Sequence, residues 1–259
     1  MSEGRLAGRV AVVTGGGRGI GRAIAQRYAA EGAAVVVSSR TGADLDEVVA
    51  GIEASGGRAV AVVADATDPE GARLPVRRAI EALGRIDVLV NNVGGSAGRG
   101  HDPFSVDGDG FEQTLVLCLT SAWWTTTEAL PHLRAQGSGA VVNIGSGASK
   151  RAAASVAYTA AKHGLIGFTR ALAAATAEHG ITVNCLCPGW TNTSLIDWER
   201  AAATRGVTVE EAQASALADN LQHRILEPEE LTGMAVLLAS DDGRGITGQV
   251  ISVDGGYRV

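Results

Sequence analysis

Aromatic residues make up only 4% of this 259-residue chain, and it has just three cysteines, two methionines and six prolines. Three cysteines cannot form the disulfide framework of a small secreted scaffold. Cys185 and Cys187 alternate along an expected strand, so their thiols share one face, and no histidine at metal-ligand spacing joins them. They are read as small buried hydrophobes. No apolar run approaches the ~18 residues that a membrane-crossing helix needs. Met1 to Gly8 lacks the basic stretch followed by an apolar one that marks a secretory signal, so a cytoplasmic protein is expected. There is no basic excess either: 22 Lys and Arg against 28 Asp and Glu give a net charge of −6, which argues against a nucleic-acid partner. Proline-rich linkers, repeats and low-complexity tracts are also missing, which favours one domain over residues 1–259.

Glycine is abundant, at 35 residues. It shows no every-third-residue period, so it belongs to tight turns and close backbone approaches rather than to collagen. Apolar residues at 46% and charged residues at 19% suit a globular chain. Short apolar runs recur at Val10–Val13, Ala34–Val37, Ala59–Val63, Ile86–Val90, Ala140–Ile144, Ile181–Leu186 and Gln249–Val253. Most are continuously apolar, the pattern of parallel strands buried on both faces. Helical spacing lies between them: Ile20, Ile24 and Tyr28 in one stretch, and Leu45, Val48, Val49 and Ile52 before Gly56-Gly57 in another. Longer helices are expected over Leu115–Leu133 and Ala157–Ala177. Alternating strands and helices predict an α/β fold, a doubly wound Rossmann-type sheet of seven mainly parallel strands with helices on both faces. Ligands of such sheets bind beyond the carboxyl ends of the strands, so the residues there are the candidates.

The first strand runs into Thr14-Gly15-Gly16-Gly17-Arg18-Gly19-Ile20-Gly21 and then a helix. Glycines let the backbone approach a pyrophosphate, and the helix N-terminus offers free N–H groups and a positive dipole end. A strand before and a helix after are the context this motif needs. The second strand ends in Ser38-Ser39-Arg40, with no acid before Asp44. A carboxylate at that point would accept bonds from a ribose hydroxyl, whereas Arg40 and Arg18 suit a 2′-phosphate. Tyr158 and Lys162 are four residues apart and share a helix face. An ammonium close to a phenol favours the phenolate, which suits a group that exchanges a proton with a carbonyl or alcohol.

Taken together, T-G-x-x-x-G-I-G from Thr14, Asn91-Asn92-Val93-Gly94, Ser146, Tyr158-x-x-x-Lys162, Pro188-Gly189 with Thr193, and the closing Asp254-Gly255-Gly256 resemble the short-chain dehydrogenase/reductase family over about residues 8–256. The resemblance implies an NADP(H)-dependent oxidoreductase that interconverts a ketone and a secondary alcohol, with Ser146, Tyr158 and Lys162 catalytic. It implies cofactor contacts from Gly15, Arg18, Gly19, Ile20, Gly21, Ser39, Arg40, Asp65, Asn91, Gly94, Tyr158, Lys162, Pro188, Gly189, Thr191 and Thr193, and no metal. It further implies a small carbonyl or alcohol substrate, a substrate lid at about 190–224, and a homotetramer (or dimer) built through the two long helices. Two other readings share these residues: a redox-neutral epimerase or dehydratase, and a catalytically weak NADP-binding sensor.

Two departures from the family pattern stand out. Cys118 occupies the place where an asparagine is expected, and a thiol is a weak donor and acceptor. Ser146 precedes Tyr158 by twelve positions where thirteen are common, which leaves Ser149 as a weaker candidate for the same role. The segments Gly95–Phe104, Gly147–Val156 and Trp190–Arg224 would flank the substrate. Trp190 and Trp198 hint at an apolar or cyclic substrate, or else pack the lid. Lys150 and Arg151 meet an acidic substrate or simply face solvent. None of His101, His132, His163, His179 and His223 is given a role.

Overall fold

The computed structural model describes residues 4–96, 109–152 and 155–259. Seven strands form one sheet in the order β3-β2-β1-β4-β5-β6-β7, and every neighbouring pair is parallel. They are β1 (Val10–Thr14), β2 (Ala34–Ser39), β3 (Arg58–Val63), β4 (Val88–Asn91), β5 (Gly139–Ile144), β6 (Ile181–Pro188) and β7 (Val250–Val253). The helices are α1 (Gly19–Ala30), α2 (Gly42–Ala54), α3 (Pro69–Leu83), α4 (Asp109–Leu115), α5 (Ser121–Gln136), α6 (Val156–Thr176), α7 (Trp198–Arg205), α8 (Val209–Ala218) and α9 (Thr232–Ala239).

Two apolar layers explain why the strands read as unbroken runs. Side chains alternate across a strand. Ala11, Val13, Val88 and Val90 pack with Ile24, Val48 and Val236, from α1, α2 and α9. Val10, Val12 and Leu89 pack with Val76, Ala129 and Leu172, from α3, α5 and α6. Tyr28 is wholly buried in the first layer and donates its hydroxyl to the Ala235 carbonyl at 2.8 Å, tying α1 to α9. In the second layer the same logic places Asp68 as the N-cap of α3, accepting from the Gly71 N–H at 2.7 Å, with Pro69 at the first helical position.

The two halves of the sheet are joined by β1 and β4, which lie more than seventy residues apart in the chain. Their register pairs Ala11 with Val88 and Val13 with Val90. The buried carboxylate of Asp87 fixes the start of this seam: it accepts from the Val10 N–H at 2.9 Å and from both arms of Arg85 at 2.9 and 2.6 Å. Strand order reverses at this seam, and the cleft opens above it.

The helix expected over Leu115–Leu133 differs in detail. Helical structure already includes α4, and a wider π turn at Val116–Thr120 separates α4 from α5. The excursion from Trp190 to Arg224 carries two helices, α7 and α8. Asp197 caps α7 by accepting from the Arg200 N–H, and Thr208 with Glu211 forms a capping box on α8.

Candidate active site

A large cleft, of about 1090 Å³, lies over the carboxyl ends of the strands. That exceeds the few hundred cubic ångströms that hold a small molecule, and leaves room for a dinucleotide beside a substrate. At one end the glycine loop turns from β1 into α1. Gly15 and Gly19 have φ of +63° and +54°, in the left-handed region that side chains disfavour. A Cβ on Gly19 would press on the Thr193 methyl at 3.1 Å. Arg18 occupies the N-cap position of α1 in an extended conformation, and no side chain caps this helix end. The first N–H groups of α1 are therefore left for an anion.

Gly21 does not line the cleft. It lies beneath the loop, where a Cβ would overlap the Gly15 carbonyl oxygen, so its smallness lets α1 close on the loop. Asn91 also departs from expectation. It shares the Leu89 face of β4 and points at α5, donating to Thr126 Oγ1 at 2.9 Å and to Asn143 Oδ1 at 2.8 Å. Strand alternation turns it away from the cleft. Asn92, not Asn91, lines the cleft. Its side-chain amide donates to the Thr14 and Gly15 carbonyls, both at 3.0 Å, and pins the glycine loop to the end of β4.

Ser39, Arg40 and Asp65 line the same end, along with Arg18 and Ile20. Neither Arg18 nor Arg40 has an ion-pair partner among the described residues. Thr67 donates its backbone N–H and its hydroxyl to Asp65, holding that carboxyl below its ordinary range, with the charge of Arg40 adding to the effect. Asp44, which the sequence reading set aside, also faces this end.

At the middle of the cleft stand Ser146, Tyr158 and Lys162. Ser155 caps α6 by accepting from the Tyr158 N–H, so the first turn of that helix carries Tyr158 and the next carries Lys162. The Lys162 ammonium lies 5.7 Å from the centre of the Tyr158 ring. It is 2% exposed and donates to the Ile144 carbonyl at 2.7 Å. Burial alone would lower its pKa, but the facing Tyr158, Cys118, Cys185 and Cys187 together raise it, so the ammonium is charged.

Ser146 ends the loop after β5. Its hydroxyl accepts from the Ala148 N–H at 3.1 Å, while the Ser149 hydroxyl accepts from the Ser146 N–H at 3.0 Å. Ser149 is 1% exposed and does not line the cleft. Of the two serines, Ser146 is the one placed with Tyr158 and Lys162. Cys118 lies in the π turn, where its thiol accepts from the Gly95 N–H at 3.3 Å and donates to the Gly95 carbonyl at 3.1 Å. Cys185 and Cys187 are buried under Gly145, thiol to thiol at 3.7 Å.

Pro188, Gly189, Thr191, Thr193 and Gly94 complete the lining expected from the sequence. Trp190 lines the cleft, whereas Trp198 packs behind it at 5.7 Å between ring centres. Lys150 bonds to the Ser252 hydroxyl, and Arg151 donates to the Arg258 carbonyl at 3.0 Å, so neither turns into the cleft. His101 and most of the Gly95–Phe104 flank lie outside the described residues. Among the described residues no cluster of His, Cys, Asp and Glu could hold a metal, and no helix is long and apolar enough to cross a membrane. Arg200, Arg205, Tyr257 and Arg258, which no sequence motif marks, also line the cleft.

The short chain dehydrogenase family model matches residues 9–204. The chain belongs to this family. Among its short-chain dehydrogenase relatives is the short-chain reductase NovJ of Streptomyces niveus, 37% identical over 95% of this chain and 93% of that one. Another is the D-beta-hydroxybutyrate dehydrogenase of Cupriavidus necator, 34% identical over 97% and 98%. Among solved structures, a proposed NAD(P)-dependent gluconate 5-dehydrogenase of Beutenbergia cavernae, with NADP bound at low occupancy, superposes with a TM-score of 0.88. It is 41% identical, and the match covers 99% of each chain. This short-chain dehydrogenase is therefore an oxidoreductase with the Rossmann-like fold of its relatives.

Proposed function

We propose that the protein is an NADP(H)-dependent oxidoreductase that interconverts a ketone and a secondary alcohol, with Tyr158 as general acid and base. The observation that carries this reading is the Lys162 ammonium, 5.7 Å from the Tyr158 ring, in one cleft with Ser146 and the glycine loop. The residues fit a dinucleotide. The uncapped α1 N-terminus and the Gly15–Gly19 turn suit a pyrophosphate. Arg18, Ser39 and Arg40 suit a 2′-phosphate, which a guanidinium can grip with its forked donors. Gly94, Pro188, Gly189, Thr191 and Thr193 would hold the remainder. The nicotinamide, when bound, supplies or takes up the hydride.

The chain's own part is the proton and the alignment. In the reducing direction the Tyr158 hydroxyl gives its proton to the carbonyl oxygen, and in the oxidising direction the phenolate takes it from the alcohol. The Ser146 hydroxyl donates to the same oxygen and polarises the carbonyl. Lys162, held by Ile144, favours the phenolate that is left and is placed to bond the ribose hydroxyls. The reading also makes the protein a cytoplasmic homotetramer or dimer built through α5 and α6. The half-exposed Trp123, edge-on to Phe168, is a surface such contacts would cover.

The test is NADPH consumption by the purified protein on a panel of cyclic, aromatic and acyl ketones, with Tyr158→Phe alongside. Consumption that falls by roughly 10²-fold or more in the variant supports the reading. Equal rates in the two proteins would sink it.

A further inference from the structure

The far end of the cleft is bounded by Trp190, by the last turn of α7 and by Tyr257-Arg258. In a protein of net charge −6, three arginines line this end: Arg200, Arg205 and Arg258. They are not equivalent. Arg258 grips the Asp219 carboxylate with Nε at 2.9 Å and Nη2 at 3.1 Å, and donates Nη1 to the Ala152 carbonyl at 3.1 Å. Its backbone is left-handed, with φ of 47°, and is held there by its own N–H on the Asp219 carbonyl at 2.7 Å. Its charge is already neutralised. Trp190 Nε1 donates to the same carboxylate at 3.4 Å, so Asp219 is fully engaged. Asp197, the acid lining this end, is engaged as the α7 cap. The Arg205 guanidinium, by contrast, has no hydrogen bond or ion pair among the described residues.

Tyr257 stands beside it. Its ring packs against Gly147, where a Cβ would come within 2.5 Å of two ring carbons, so it stands next to Ser146. Burial raises the pKa of its phenol against the opposing charges of Arg258 and Arg205, which keeps it a protonated donor. Its hydroxyl has no partner among the described residues. An uncommitted guanidinium and an uncommitted hydroxyl donor thus share one wall of the cleft, beside the reacting group.

We infer that this end is a carboxylate site: the substrate is an oxo acid, or in the other direction a hydroxy acid, whose carboxylate is taken by Arg205 and the Tyr257 hydroxyl while its reacting carbon faces Tyr158. The inference deepens the oxidoreductase reading and rests on it. A forked guanidinium matches a carboxylate, and a charge-assisted bond there is worth about tenfold or more in discrimination against an uncharged ester.

The experiment compares oxo acids of graded chain length, each with its methyl ester, as substrates with NADPH. In parallel, the matching hydroxy acids and esters are titrated calorimetrically into the NADP⁺-saturated protein. The best acid should exceed its ester in kcat/KM by about tenfold or more, and Arg205→Gln should pull that ratio towards one, chiefly through KM for the acid. Tyr257→Phe should lower the ratio by a smaller factor. Arg205 also complements the C-terminal end of the α7 dipole. A purely dipolar role would lower the melting temperature and leave the acid-to-ester ratio unchanged, and that result overturns the inference, as does an ester that matches its acid throughout the series. Should neither acid nor ester, nor any ketone of the panel above, consume NADPH, the oxidoreductase reading fails, and the titration decides the site by itself. Acid-selective binding lost in Arg205→Gln upholds it, and binding without acid selectivity overturns it.

Discussion

Gly94→Ala tests whether the position of the Lys162 ammonium, rather than its mere presence, matters to turnover. A Cβ on Gly94 would stand 3.0 Å from Lys162 Nζ, 3.5 Å from its Cε and 3.7 Å from the Cys118 sulfur. The backbone offers no objection, because Gly94 is not among the glycines with positive φ. The ammonium must give way by a few tenths of an ångström. It cannot do so freely, since it is buried and anchored at 2.7 Å to Ile144. A misplacement of ~1 Å at a reacting centre costs about 10²-fold, so a shift of this size should cost roughly tenfold in kcat, or about 1.4 kcal/mol of barrier. Stability should change little. Replacing glycine at a permissive φ stabilises by about 0.4–1 kcal/mol, which offsets the crowding. The assay is steady-state kcat from cofactor absorbance, with NADP⁺ affinity and melting temperature measured on the same preparation. An unchanged kcat at full cofactor saturation would refute the reasoning. A fall in kcat explained wholly by lost cofactor affinity would refute it too, since the methyl would then be blocking the nucleotide rather than moving Lys162.

Three other changes probe separate parts of the molecule. Arg18→Ala combined with Arg40→Ala should raise KM for NADPH by about 10- to 100-fold and leave KM for NADH within about twofold, as charge-assisted bonds to a phosphate require. Equal losses for both cofactors would remove the argument for a 2′-phosphate site. Cys118→Asn should keep or raise turnover, because a carboxamide carries both the donor and the acceptor that the thiol presents to Gly95; a large loss would count against the placement of Cys118 at the family's asparagine position. Glu31 accepts from Arg27 and from the Arg5 N–H, which hold its carboxyl down from 4.5 to about 2. A carboxylate lowered on folding stabilises the native state above its unfolded pKa and loses that contribution as pH falls through the folded one. The stability gap between the wild type and Glu31→Gln should therefore be full above about pH 5 and close as pH falls towards 2, as read by denaturant melts. A gap independent of pH would show that the carboxylate charge is not what stabilises this corner.

The strands were legible because burial on both faces leaves runs such as Ala34–Val37 and Ala140–Ile144 without polar interruption. Their ends were less so: β2 extends through Ser39 and β6 through Pro188, where pairing with the neighbour sets the boundary, not side-chain character. The glycine loop and the Tyr158–Lys162 pair could be read because each is a local pattern with one chemical meaning. Asn91 and Asn92 could not be told apart, since their roles depend on where β4 stops and which way the last side chain points. The π turn at Val116–Thr120 has no residue pattern of its own, since it is a change of backbone pairing inside a helical run. Thr208-x-x-Glu211 is the capping-box pattern that starts α8 within the excursion. Nothing local announced Arg205 or Tyr257 as cleft residues. One reaches the cleft on the last turn of α7 and the other through an isolated bridge with Asn220, both products of tertiary packing.

The seam between β1 and β4 bears on how the molecule comes into being. The β1-α1-β2 unit and its neighbour β3 form from segments close in the chain, but the pairing of Ala11 with Val88 must close a long stretch before it gains anything. Asn92 can pin the glycine loop only after that closure. Intermediates with native-like halves would thus lack a working cradle, and recovery of nucleotide binding during refolding should lag behind recovery of helical signal.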